Sequence, residues 1–164
     1  MSAKSTIATV TAGAVLWAGV AVSAAADELP GPVEIAPGVT QEVLSVDDHG
    51  APTSGRVTID TEVAPQGDLS GYVERNREGA TLFGMPGSTT ENVGGGTWQY
   101  GWNLVNFTEK HCFSHYMHRT KNHGATVTMG GRTSVDTKRG GLWAKATLTG
   151  GVTSGTCHSY WNAG

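Results

Sequence analysis

The chain has 164 residues, 24 of them glycine, and only 15% are charged. That length admits one domain with extensions and excludes a multidomain enzyme, and the composition favours short strands and turns over long helices. The net charge of −3 conceals a division, because residues 27–93 carry twelve acidic and three basic side chains (−9) and residues 94–164 carry seven basic and two acidic ones (+5).

In chain order, Lys4 precedes an apolar run from Ile7 to Val22, and Ala24-Ala25-Ala26 follows. A basic start, a short apolar stretch and small residues make a secretory signal over 1–26. Cleavage is expected between Ala26 and Asp27, and the product is expected to be secreted and extracellular. The run is too short for a comfortable bilayer crossing; a retained anchor is the alternative.

Residues 27–93 contain PGPVEIAPG, DDHGAPTSG and GMPGSTTENVGGG, all turn or linker chemistry. One stretch, RVTIDTEV at 56–63, sets Val57, Ile59, Thr61 and Val63 on one side and Arg56, Thr58, Asp60 and Glu62 on the other, a strand pattern. With few aromatics, this acidic segment is expected to be weakly structured. It reads either as a solvated linker or as a pro-segment that covers the basic half until export or cleavage.

At GGGTWQYGWNLVNF the composition changes. Trp98, Tyr100 and Trp102 alternate as the packed face of a first strand, and Trp102, nearest the point where alternation switches sides, is the one expected to reach solvent. The glycines read as a hinge and candidate processing site. HCFSHYMH, GATVTM, GGLWAKATLTGG and TCHSYW follow, separated by turn residues. In the third of these, Leu142, Ala144, Ala146 and Leu148 face one way, and Trp143, Lys145, Thr147 and Thr149 the other. Several short strands at this spacing imply an all-β antiparallel sandwich or small barrel. An even pair of cysteines in an exported chain, Cys112 and Cys157, reads first as a disulfide between the second strand and the last; two buried thiols are the alternative.

The histidines suggest metal or acid–base chemistry. On a helix, His111, His115 and His118 would share a face and could hold zinc. Strand-forming neighbours instead set His118 opposite the other two, and neither an H-E-x-x-H nor a paired C-x-x-C motif is present. No metal and no cofactor are expected. A G-x-S-x-G elbow is missing, and two distant carboxylates in the basic half, Glu109 and Asp136, suit a glycosidase poorly, so no catalytic residue is expected. What remains is a basic β-domain with aromatics. Lys110, Arg119, Lys121, Arg132, Lys138, Arg139 and Lys145 offer an anion-seeking surface, and Tyr100, Trp102, Tyr116, Trp143, Tyr160 and Trp161 offer stacking. A pyrophosphate, an acidic polymer or an anionic head group at a membrane surface would suit it. Nucleic acid fits the charge, but an exported protein seldom meets it as a target.

GGTWQYGW, YMHRTKNHGATV, DTKRGGLWAKAT and the tail SYWNAG, taken together, resemble the lactococcin 972-type bacteriocins from Gly95 to the C-terminus. The resemblance implies a domain over 94–164 built as a sandwich of two three-stranded sheets. It also implies a secreted, non-pore-forming bacteriocin that binds the cell-wall precursor lipid II and blocks septum formation in related bacteria. Such a protein acts at the outer membrane surface without spanning it. Lipid II carries a pyrophosphate beside sugars, so cations would meet phosphates and aromatics would stack on sugar or prenyl groups. On that chemistry the expected ligand-binding set is Trp102, Tyr116, His118, Lys121, His123, Arg139, Trp143 and Lys145, with lipid II or another anionic wall component as partner. Two features depart from the resemblance: the acidic segment ahead of the GTWQ-like start, which family precursors usually lack, and the cysteine pair, which is not a feature of the family's best-studied member. A secreted, non-toxic envelope-binding or adhesion module is the alternative function.

Overall fold

The computed structural model describes residues 29–64, 88–105 and 107–164; the expected signal segment, with Ala26 and Asp27, lies outside them. Among the described residues are strands β1 (Val33–Ala36), β2 (Val39–Val46), β3 (Pro52–Ile59), β4 (Thr89–Val93), β5 (Gly96–Val105), β6 (Glu109–His118), β7 (His123–Met129), β8 (Arg132–Lys138), β9 (Ala144–Gly151) and β10 (Cys157–Asn162). They form a six-stranded sheet, β1-β2-β3-β10-β7-β8, and a four-stranded sheet, β4-β5-β6-β9. Every pairing is antiparallel.

Residues 94–164 supply three neighbouring strands to each sheet, β5-β6-β9 and β10-β7-β8. The acidic half then widens both sheets, which corrects the expectation of a weakly structured segment over 33–59 and 89–93. β3 pairs with β10 from Cys157–Ile59 to Asn162–Ser54, and β4 pairs with β5. The physical reason is that these strands need no core of their own. Val39, Val57 and Ile59 are completely buried against aromatics that the other half provides. The strand expected at 56–63 ends at Ile59, because Val63 and Ala64 donate backbone bonds to the Asp60 carbonyl and close a turn.

Gly94 and Gly95 are no hinge. Both have positive φ (56° and 76°), and they form the two-residue turn between Val93 and Gly96 of the β4–β5 hairpin, where such φ values suit glycine. A side chain on Gly94 would collide with the Trp161 ring.

Alternation along β5 buries Trp98, Tyr100 and Trp102. Trp102 is only 4% exposed, so it does not reach solvent; inward-facing residues continue to the half-buried Leu104. Trp161 packs on Tyr116 and Trp98 at ring separations of 5.2 and 6.4 Å. Small residues on β6, β9 and β10 let the sheets approach: Ser114 Oγ donates to the Tyr160 carbonyl (2.7 Å) and Ser159 Oγ to the Phe113 carbonyl (2.9 Å). The Cys112–Cys157 disulfide joins the sheets at a Cα separation of 6.1 Å. The free edge of β9 is covered by side chains of β8. Asp136 accepts from the Lys145 N–H, Ser134 from the Thr147 N–H, and Arg132 donates to the Thr149 carbonyl, which blunts an otherwise open edge.

Candidate functional site

The strand order brings four connections to one end of the sandwich: the β2–β3 turn, the β4–β5 glycine turn, the β6–β7 loop (119–122) and the β8–β9 connection (139–143). The last two are tied together. Gly141 N–H donates to the His118 carbonyl at 2.9 Å, and Gly140 packs on the backbone of Arg119 and Thr120 with no room for a Cβ. His123, 1% exposed, sits between the two longer connections, Nδ1 at 2.9 Å from the Lys121 carbonyl and Nε2 at 2.8 Å from the Leu142 carbonyl.

Two clefts flank the glycine turn. One, of about 400 Å³, is lined by Asp47, Gly94, Gly95, His118 and Lys121 among others. The second, of about 420 Å³, is lined by Gly95, Gly96, Thr97 and Arg119 among others. The turn therefore lies as a bare backbone ridge between Lys121 and Arg119. Beneath it, the Tyr116 hydroxyl donates to the Val93 carbonyl at 2.9 Å, with the Gly94 carbonyl at 3.3 Å, and burial pushes that hydroxyl's pKa well up.

His118 Nδ1 accepts from the Thr120 and Lys121 N–H groups at 3.2 and 3.0 Å. In the neutral ring the proton is then on Nε2, which points at Gly95. Burial, then the charges of Lys121 and His123, lower its pKa; burial first also lowers His115, beside Lys145 and His111, and His158, beside Arg56. A lowered histidine contributes stability that is complete above the unfolded value of about 6.5 and is lost as pH falls through the folded value. An NMR titration of the His118 ring should give a midpoint below about 6.5; one at or above that value would contradict the loop geometry.

The expected ligand-binding residues divide. His118, Lys121, His123, Arg139 and Trp143 gather at this end, with Tyr116 directly below. Tyr116 and His123 are core residues, 0% and 1% exposed, that position the turn and loops. Trp102 pairs with Cys112 in mid-sheet. Lys145 is exposed on the outer face of β9, opposite His115. Lys110, expected on the anion-seeking surface, is 2% exposed; Nζ donates to Thr61 Oγ1 (2.5 Å) and the Gly155 carbonyl (2.8 Å), and burial lowers its pKa. The ligand set omitted Arg119, although it shares the HRTKNH loop with Lys121, and Asp47, whose DDHG turn read as linker. Asp47 Oδ1 accepts from the Ala51 and His49 N–H groups, both at 2.9 Å, and these bonds hold its pKa down. Among the described residues no three His, Cys, Asp or Glu side chains converge to hold a metal ion.

The lactococcin 972 bacteriocin family model matches residues 94–161. That part of the chain is similar to the lactococcin 972 bacteriocins. No curated protein and no solved structure matches the chain. The lactococcin 972 match takes in β5 to β9 and β10 as far as Trp161, so the β6–β7 and β8–β9 connections lie within it. The β2–β3 turn and β4 lie outside it.

Proposed function

We propose that this chain is a secreted, non-enzymatic bacteriocin that binds lipid II through the cationic end of the sandwich and blocks cell-wall synthesis at the septum. The observation that carries the reading is the glycine ridge with Lys121 in one flanking cleft and Arg119 in the other. A diphosphate on that ridge would meet a cation on each side. Arg139 stands on the adjoining connection, whose Gly140 packs against Arg119 and Thr120. The carboxylate lining the site, Asp47, already has Oδ1 engaged by two backbone N–H groups. The half-buried Trp143 offers a surface for sugar or prenyl. Among the described residues no helix is long and apolar enough to cross a membrane, and binding at a head group requires none.

Arg119→Glu and Lys121→Glu should each weaken binding to lipid II in vesicles by about tenfold or more, the value of a charge-assisted hydrogen bond. Far-UV circular dichroism should stay unchanged, since both side chains are exposed. Unaltered affinity in both variants would refute the site. Purified protein added to neighbouring Gram-positive strains tests the class: tight wall binding without any growth defect would favour the adhesion module.

A further inference from the structure

The outer face of the six-stranded sheet has a chemistry unlike that of the cationic end. The inward residues of β3, β10 and β7 are buried, among them Val57, Ile59, Ser159, Trp161, Ala125 and Val127. Arg56, Thr58, His158, Tyr160, Thr126 and Thr128 alternate with them and are half-buried on the outside. Cross-strand register sets these residues in rows. One row runs Thr40–Thr58–His158–Thr128–Thr133, and the next runs Glu42–Arg56–Tyr160–Thr126–Val135.

We propose that this face binds an extended, uncharged glycan strand, the sugar backbone of assembled peptidoglycan, with one ring stacked on Tyr160. The aromatic ring is at the centre of the face, and its charged neighbours cancel: Arg56 lies 5.9 Å from the ring centroid and is paired with Glu42. The remaining groups are chiefly threonine hydroxyls, which both donate and accept and sit on stiff, β-branched stems. They therefore match sugar hydroxyls and lose little rotamer entropy when a ligand binds. Strands about 4.8 Å apart place five rungs over about 19 Å, a length suited to several sugar units laid across the sheet. The first row runs into a groove of about 440 Å³ lined by Thr128, Thr133, Ser154, Thr156, Arg132 and His158. Arg132 there is engaged by the Thr149 carbonyl, and His158 is oriented by Thr58 through Nδ1 at 3.1 Å.

Neutrality decides the occupant. An acidic polymer would be drawn to the end that carries Arg119 and Lys121, and a protein partner would want an apolar patch, whereas the large apolar side chain exposed in these rows is Val135. The proposal goes beyond the lipid II reading and stands independently of it, since it uses other residues and assembled polymer in place of precursor. A molecule so equipped would be retained on the wall while its cationic end engages the membrane surface.

The test uses the full chain from residue 27, peptidoglycan sacculi stripped of teichoic acids, and a soluble N-acetylglucosamine hexasaccharide. Tyr160→Ala should weaken binding to both probes by about tenfold, the worth of a stacked ring, and leave lipid II affinity unchanged. Thr128→Val with Thr133→Val removes two hydroxyls while keeping shape, and should weaken both as well, which keeps the test sharp if Tyr160→Ala fails to fold. Three results would each overturn the proposal: a parent protein that binds neither probe, variants that bind like the parent, or retention on sacculi lost with Arg119→Glu and Lys121→Glu but not with Tyr160→Ala. Loss of lipid II binding alone would leave the glycan face standing and remove the cationic site.

Discussion

A chain cut back to Gly94–Gly164 should fail to fold cooperatively, although it retains the whole family match. Truncation removes Val39, Val57, Ile59 and Val93 from the core, each at most 4% exposed. At about 1.5 kcal/mol or more for each side chain, the loss is about 6 kcal/mol, comparable to the entire stability of a small domain. Polar terms add to it. Tyr100 would lose Glu91, to which its hydroxyl donates at 2.5 Å, and Glu91 is itself 1% exposed and held by Gln41 at 3.0 Å. β10 would lose β3 and β5 would lose β4, leaving two open backbone edges that invite aggregation. Thermal unfolding followed by circular dichroism should show a sharp transition for residues 27–164 and a broad one, or precipitation, for 94–164. A sharp transition for the fragment within about 5 °C of the longer chain would sink the prediction. Ile59→Ala in the full chain gives a graded version, with a loss of about 2–5 kcal/mol. It follows that the acidic half cannot be lifted off simply to unmask a basic surface, since the strands that would leave are part of the sheets.

This is also where sequence reading reached its limit. The six strands after Gly94 were legible because large inward residues alternate with polar ones, as in Trp98, Tyr100 and Trp102, and because glycines mark the turns. Within VTQEVLSV the same alternation runs through Val39, Gln41 and Val43, but the side chains are small and one is polar. Gln41 is buried because Glu91, fifty residues away, accepts its amide, a pairing that no local pattern reveals. For the site, the family resemblance and the chemistry of the ligand it implies pointed to Lys121, His118 and His123. The roles of the histidines were not legible, because they depend on backbone groups: the Leu142 carbonyl of a separate connection bonds to His123, and N–H groups of its own loop fix His118. Trp102 misled for a related reason. Its place near the end of the aromatic run suggested exposure, while β6 and the opposite sheet bury it.

Replacing both Cys112 and Cys157 by alanine should lower stability by about 4 kcal/mol. The bridge spans a sequence separation of 45 residues and encloses β7, β8 and β9, so its loss restores much conformational freedom to the unfolded chain. The native side adds little of opposite sign, because both cysteines are 0% exposed, and Cys112 Sγ also touches Met129 Sδ at 3.3 Å. Denaturant titration of the parent and the double variant measures the difference, and equal midpoints would refute it. The same pair of proteins separates stability from binding. Cys112 lies six residues before His118 on β6, about 20 Å along the strand. Under conditions where the double variant is still folded, its lipid II affinity should therefore equal that of the parent. A loss of affinity there, with the fold intact, would mean that the disulfide sets the geometry of the glycine ridge as well as the stability of the sandwich.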